Sequence, residues 1–303
     1  YELRDRLEII ELSSYTEYEK LDIAKSHLIP RALEEHGLTS LQIQIDDEAI
    51  LNIIRYYTKE AGVRELDRMI AALFRKIVKK VLLEKEQFFY HIQASDLETF
   101  LGKRKFSYER IGKSCEVGVV NGMAYTAFGG DILPIEVTMF PGKGELILTG
   151  SLGDVMQESC QIAFSYIKAN ASSFNISCND ISGNDIHIHF PEGAVAKDGP
   201  SAGIAITSAL ISLFKNKAVA NNIAMTGEIT LRGRILEIGG LREKVIGAHR
   251  AGVRNIILPR ENQNDLEKIP EEVKSDISFT FVDNYNEVYD NLFGGESDDT
   301  DSK

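Results

Sequence analysis

The chain has 303 residues, 43% of them hydrophobic, with 34 basic against 46 acidic side chains and a net charge of −12. That is length for about two domains and enough apolar content for buried cores. It contains no run of about 18 uncharged apolar residues that would mark a membrane span, and its acidic balance argues against nucleic acid as the main partner.

Residues 1–103 read as a helical domain. A helix over Glu17 to Ala24 continues toward His27, with Pro30 and Gly37 as punctuation. Asp46-Asp47 can cap a helix over Glu48 to Lys59, where Ile50, Leu51, Ile54 and Tyr57 fall at helical spacing. After Gly62, a long helix from Arg64 to about Glu86 shows one stripe of Leu66, Met69, Ile70, Leu73, Ile77 and Val81. The expectation is an all-helical bundle. Lys103-Arg104-Lys105 reads as a solvated linker. From 104 to 293 the character is mixed α and β. Strands are expected at Glu116–Val120, Ile132–Met139, Glu145–Thr149, Asp185–Phe190, Ile256–Pro259 and Phe279–Val282. A hairpin is expected between Ala224–Leu231 and Arg234–Ile238. Helices are expected at Asp154–Ala169, at Ala202–Phe214, around Lys244 with an end near Gly252, and last of all up to about Leu292. The acidic end, 294–303, reads as a disordered tail. The fold class is therefore α+β. Cys115, Cys160 and Cys178 are widely spaced with no CxxC pair, which disfavours a zinc site or a disulfide framework and suits a reducing compartment.

The segment Lys197-Asp198-Gly199-Pro200-Ser201-Ala202-Gly203 precedes a wholly apolar run. Small neighbours leave the serine open to substrate, and proline fixes the turn before it. At a helix start, free N–H groups and the helix dipole can stabilise an oxyanion. The plainer alternative is that Ser201 is only an N-cap.

A serine nucleophile needs a base. His187 and His189 alternate along a strand and share a face, so they could act as base or as a metal pair. No acidic third ligand is placed by spacing, and the plainer reading is of strand histidines satisfied by hydrogen bonds. Lys244, 43 positions after Ser201, shares its helix side with Leu241, Val245 and Ala248. In that apolar stripe a lysine loses hydration and its pKa falls toward working pH. A lysine snorkelling into water is the alternative.

With these motifs quoted, the chain resembles the ATP-dependent Lon proteases of bacteria and mitochondria. The resemblance is carried by Phe190-Pro191-Glu192-Gly193-Ala194, by Lys197 to Gly203, by Ala224-Met225-Thr226-Gly227-Glu228-Ile229-Thr230-Leu231-Arg232-Gly233-Arg234, and by Ile238-Gly239-Gly240-Leu241-Arg242-Glu243-Lys244. It implies Ser201 as nucleophile and Lys244 as general base, with Thr226 orienting the lysine. It places Asp198, Glu136 and His187 as accessory residues near the site. Val195-Ala196 departs from the family's usual Thr-Pro, and Tyr125 stands where tryptophan is common. Residues 1–103 resemble the small helical lid of the family's AAA+ ATPase. Arg64, in Gly62-Val63-Arg64-Glu65-Leu66, would then reach ATP phosphates, and Arg6 would fall in the arginine-finger region; each is otherwise an exposed helix charge.

The chain begins at Tyr1, with no leader, and reads as a fragment or processed product. Its nearest approach to a P-loop, Ser107 to Ser114, lacks the first glycine and the preceding buried strand, so no ATPase is expected from this chain alone. The resemblance implies ATP and Mg2+ in the full-length enzyme and no cofactor or metal here. It also implies unfolded or damaged protein substrates, a homohexamer, no membrane, no nucleic acid, and bacterial cytoplasm, with mitochondrial matrix as the alternative. Two competing functions stay open: a serine–histidine hydrolase of small esters, and a non-catalytic ring-assembly module.

Overall fold

The computed structural model describes residues 14–39, 43–84, 89–106, 114–126 and 129–294. The chain divides into two compact units, with the boundary between Glu109 and Arg110.

The first unit opens with α1 (Glu17–Ile23), whose start is fixed by a capping box: the Thr16 hydroxyl accepts from the Glu19 N–H and the Glu19 carboxylate accepts from the Thr16 N–H. One π-helical stretch (Ala24–Leu28) leads directly into α2 (Ile29–Glu35). Pro30 therefore does not punctuate the helix as expected. It sits in the first turn of α2, and the widened turn before it accommodates a residue with no N–H to give. The unit continues with β1 (Ile43–Ile45), α3 (Asp47–Tyr57), α4 (Arg64–Glu84), β2 (Tyr90–Ile92) and α5 (Leu97–Leu101). Leu66, Ile70, Leu73 and Ile77 of the expected stripe are fully buried, packed with Ile50, Ile53 and Tyr57 of α3.

Two details depart from an all-helical bundle with a free linker. β1 and β2 form a parallel pair, three residues each, too short for a period-2 signal in the sequence. The basic segment is solvated but docked: the Lys105 N–H donates to the Tyr56 carbonyl, and the Arg104 guanidinium lies 4.0 Å from the centre of the Tyr56 ring.

The second unit contains β3 (Val119–Thr126), β4 (Gly129–Pro141), β5 (Leu146–Thr149), α6 (Asp154–Ala169), α7 (Cys178–Ser182), β6 (Asn184–His189) and α8 (Gly203–Lys215). β7 (Ile223–Met225), β8 (Glu228–Ile229), β9 (Ile235–Leu236), α9 (Leu241–Ala251), β10 (Asn255–Pro259), α10 (Glu271–Ser275), β11 (Ser278–Val282) and α11 (Tyr285–Phe293) follow. A seven-stranded mixed sheet runs β11-β10-β7-β3-β4-β6-β5. Strand alternation sends its side chains to two cores. Met225 and Ile257 join the cluster built with α6, α8 and α11, while Ala224, Ile256 and Leu258 join the one built with α9 and α10. α8 and α9 thus cover opposite faces of the sheet.

The expected long hairpin is shorter than the sequence suggested. Residues 223–225 join the main sheet, and only Glu228–Ile229 pairs with Ile235–Leu236. The run divides at Thr226-Gly227. The Thr226 N–H still bonds the Ile257 carbonyl, but the Gly227 N–H turns to the Ser201 carbonyl. That departure from the sheet creates the site. The acidic tail expected at 294–303 lies, from Gly295 on, outside the described residues.

Candidate active site

α8 is buried on every side from Gly203 to Ser212, as its unbroken apolar run dictates. Its N-cap is Ala202, so Ser201 stands one residue before the cap, after Gly199 (φ +118°) and Pro200. The serine's own carbonyl is held twice, by the Gly227 N–H at 2.8 Å and the Thr226 hydroxyl at 3.1 Å. The Ile204 N–H returns to the Gly227 carbonyl and the Gly203 N–H to that of Pro200. The first helical N–H groups are therefore occupied, and the expectation of a free helix terminus narrows. The N–H groups of Gly203 and Ile204 are taken in this way, whereas those of Ser201 and Ala202 are not.

Lys244 arrives from the other face of the sheet. It lies in the second turn of α9, in the expected stripe with Leu241, Val245 and Ala248, all buried. α9 comes unusually near the sheet because Gly130 of β4 lies beneath it. A Cβ on Gly130 would fall 1.8 Å from the Glu243 carbonyl oxygen, and one on Gly247 would fall 2.3 Å from the Gly130 backbone. This approach brings Lys244 Nζ to 2.8 Å from Ser201 Oγ and 3.3 Å from Thr226 Oγ1. The lysine is 4% exposed, and burial pushes its pKa down from 10.5 to about 8. About a tenth of the lysine is then neutral at pH 7, and a neutral amine can accept the serine proton.

Of the other expected residues, Thr226 joins this cluster and three do not contact it. The Asp198 carboxylate accepts the N–H groups of Met156 and Gly199, capping α6 and holding the loop before Ser201. Glu136 is exposed on β4, opposite His189 in register. His187 and His189 do share a face as expected, but both turn their nitrogens to the Thr149 hydroxyl, at 2.9 and 2.7 Å. No hydrogen bond joins either to Ser201. Among the described residues no group of three His, Cys, Asp or Glu side chains is placed to hold a metal.

Arg6 lies outside the described residues. Arg64 is exposed in the first turn of α4. The next two N–H groups there, of Glu65 and Leu66, already bond the Glu60 carboxylate at 2.9 and 2.8 Å. That turn is capped by the protein's own anion, so Arg64 offers one phosphate contact without a cradle. The described residues do not by themselves fit a nucleotide. The expected non-P-loop at 107–114 lies, up to Lys113, outside the described residues.

Sequence reasoning missed three contributors: the Gly227 N–H, the Gly130–Gly247 approach, and Ser159, whose hydroxyl reaches the Pro200 carbonyl at 3.5 Å. Gly227, inside a run read as one strand, was a signal that could have marked the break; the other two are long-range contacts with no local signature.

A family model described as the Lon protease (S16) C-terminal proteolytic domain matches residues 91–295, and one described as the Lon protease AAA+ ATPase lid domain matches residues 34–89. Lon protease 1 of Bacillus subtilis is 52% identical over 294 residues, covering 97% of this chain and 38% of that protein. The Lon protease of Bacillus thuringiensis is 52% identical over 293 residues, covering 97% and 37%. That of Dictyoglomus thermophilum is 50% identical over 286 residues, covering 94% and 36%. The chain spans less than two fifths of the length of these relatives. A proteolytic-domain match over more than half of the chain, with relatives at this identity across nearly all of it, shows that the chain belongs to the Lon protease family.

Proposed function

We propose that this chain is the peptidase end of an ATP-dependent protease and that it hydrolyses peptide bonds through Ser201 and Lys244. The observation that carries the proposal is the 2.8 Å contact between Lys244 Nζ and Ser201 Oγ, with the lysine shielded from water. In the neutral form, Lys244 gives one N–H to Thr226 Oγ1 and turns its lone pair to Ser201. The Ser201 hydroxyl donates its proton to Nζ as Oγ attacks the substrate carbonyl carbon. The N–H groups of Ser201 and Ala202 are the donors for the developing oxyanion. The ammonium then returns a proton to the leaving amine, and water, deprotonated by the same lysine, releases the acyl group. Thr226 fixes the lysine's direction, since its own hydroxyl proton goes to the Ser201 carbonyl. Asp198 acts on the loop before Ser201, while Glu136 and His187 are accessory residues on β4 and β6.

In this proposal residues 1–103 are the lid of the ATPase and 104–293 the peptidase domain. Unfolded or damaged proteins are the substrates, six copies form the working ring, and the compartment is the bacterial cytoplasm. ATP with Mg2+ supplies mechanical work in the full-length enzyme, and Arg64 is this chain's contact toward it. Among the described residues no helix is long and apolar enough to cross a membrane. No observation favours the serine–histidine reading, whose base is bonded to Thr149 instead. The test is Ser201→Ala. Peptide cleavage should fall to background, at least about 1000-fold, with the fold intact, and wild-type turnover by this variant would refute the proposal.

A further inference from the structure

Lys197 stands four residues before Ser201, and the cleavage scheme gives it nothing to do. Its backbone is pinned first. Leu152 and Lys197 form an isolated parallel bridge. The Lys197 N–H donates to the Ser151 carbonyl at 3.0 Å, and the Gly153 N–H donates to the Lys197 carbonyl at 2.8 Å. The side chain then doubles back. Its Nζ lies 2.7 Å from the Glu192 carbonyl oxygen, 3.1 Å from that of Val195 and 3.3 Å from that of Gly150. An ammonium has three N–H groups, and here each meets a main-chain oxygen.

The two segments joined in this way share a peculiarity. Ser151 and Glu192 have φ of 61° and 60°, a left-handed conformation that non-glycine residues keep only where their surroundings over-determine it. Residues 192–196 are all exposed, so no buried side chain fixes that loop. Ser201, in contrast, is held independently by Thr226 and Gly227, and the Asp198 carboxylate is anchored on α6.

We propose that Lys197 is a positioning residue whose ammonium holds the 192–197 loop against residues 150–153, forming the rim on which an extended peptide must lie to reach Ser201. The inference rests on the peptidase reading of Ser201, and Lys197 acts on substrate placement rather than on Oγ. Its charge is required, because a neutral amine keeps two N–H groups and turns a lone pair toward the third carbonyl oxygen. Burial lowers the Lys197 pKa below the ordinary lysine range, with the Glu192 carboxylate on the same loop opposing. Gly150, Ser151 and Leu152 opposite bear no titratable side chain, and Asp198, its chain neighbour, is turned to the α6 N-terminus. Rising pH therefore loosens the rim by deprotonating Lys197, while it activates the base by deprotonating Lys244.

The experiment compares Lys197→Met and Lys197→Arg in this chain. It measures KM and kcat on an extended fluorogenic peptide across pH, and labelling of Ser201 by a small fluorophosphonate. Losing charge-assisted hydrogen bonds to the rim should raise KM for Lys197→Met about tenfold or more. Its kcat and Ser201 labelling rate should stay within about threefold of wild type, because the serine's own contacts are untouched. Lys197→Arg should restore KM and abolish the rise of KM at alkaline pH, since a guanidinium does not deprotonate. The inference is overturned if labelling falls in step with cleavage, if KM is unchanged, or if the alkaline rise persists in Lys197→Arg. Should Lys197→Met fail to fold, the alkaline KM profile of Lys197→Arg decides alone. A wild-type chain never labelled at Ser201 would overturn the peptidase reading itself, and this inference with it.

Discussion

Two regions of the second unit hold candidate bases for Ser201. On β6, His187 and His189 lie half-buried on a sheet face, bonded to Thr149 Oγ1 at 2.9 and 2.7 Å. On α9, Lys244 is 4% exposed and lies 2.8 Å from Ser201 Oγ. Residue type favours the histidines, since histidine is the commonest general base in enzymes. Position favours the lysine, and burial supplies what its chemistry lacks by moving its pKa to about 8. Reach selects the base, and environment then tunes it.

The strongest way to break the comparison is Lys244→Arg. Arginine keeps the positive charge and comparable length but cannot deprotonate in a protein. Cleavage should drop at least about 1000-fold, measured on a peptide substrate. Substantial activity would mean that Lys244 acts as a fixed charge and that the base lies elsewhere.

The second prediction concerns pH and separates activity from stability. The rate should rise with pH through about 8 as Lys244 loses its proton, assayed below the range where KM rises. For stability, the folded pKa lies below the unfolded value of 10.5, so the folded state binds fewer protons between the two. Burying the charged lysine therefore costs most below pH 8, and the cost fades as pH rises from about 8 to 10.5. A shift of this size corresponds to about 3 kcal/mol. Lys244→Met should accordingly be inactive yet more stable than wild type at pH 7, with the gap closing at alkaline pH in denaturant titrations. Equal or lower stability at pH 7 would place the lysine in a better-solvated environment than the geometry gives it.

Much of this site was legible in the sequence because its local features have local causes. The turn at Gly199-Pro200, the apolar α8 and the stripe around Lys244 each follow from residue types within one element. α6 was expected at Asp154–Ala169 and is found there. What escaped were relations between elements. Pro30 continues through a helix because a preceding π turn makes room for it. The run from Ala224 divides at Thr226 because Gly227 finds its hydrogen-bond partner at Ser201, far away in the chain. Asp198 entered the site only through the family resemblance, and that its carboxylate caps α6, whose start lies more than forty residues upstream, has no local signal. Likewise, nothing near Gly130 announces that α9 must settle on it.

A smaller effect should sharpen the role of Thr226. Thr226→Val keeps the β-branched shape while removing the hydroxyl that receives a Lys244 N–H and donates to the Ser201 carbonyl. The Gly227 N–H still holds that carbonyl. One net hydrogen bond is worth about 1 kcal/mol, so kcat should fall about fivefold through a less directed lysine. Activity near background would show that Thr226 is indispensable to the base rather than its guide.

The smallest expected change is at the histidines. His187 bonds Thr149 through Nε2, and its ring meets that of His189 edge-on with centroids 6.4 Å apart. Nothing in that arrangement reaches Ser201. In His187→Ala, Thr149 keeps its bond to His189, so the sheet face loses one half-buried side chain and one hydrogen bond. Replacement at such a surface position typically alters stability by under about 1 kcal/mol. With Ser201, Thr226 and Lys244 undisturbed, kcat should remain within about threefold of wild type. If His187→Ala instead silences cleavage as fully as Lys244→Arg, the order of the two regions is reversed. The serine would then draw its base from the sheet, and the buried lysine would keep only an electrostatic part.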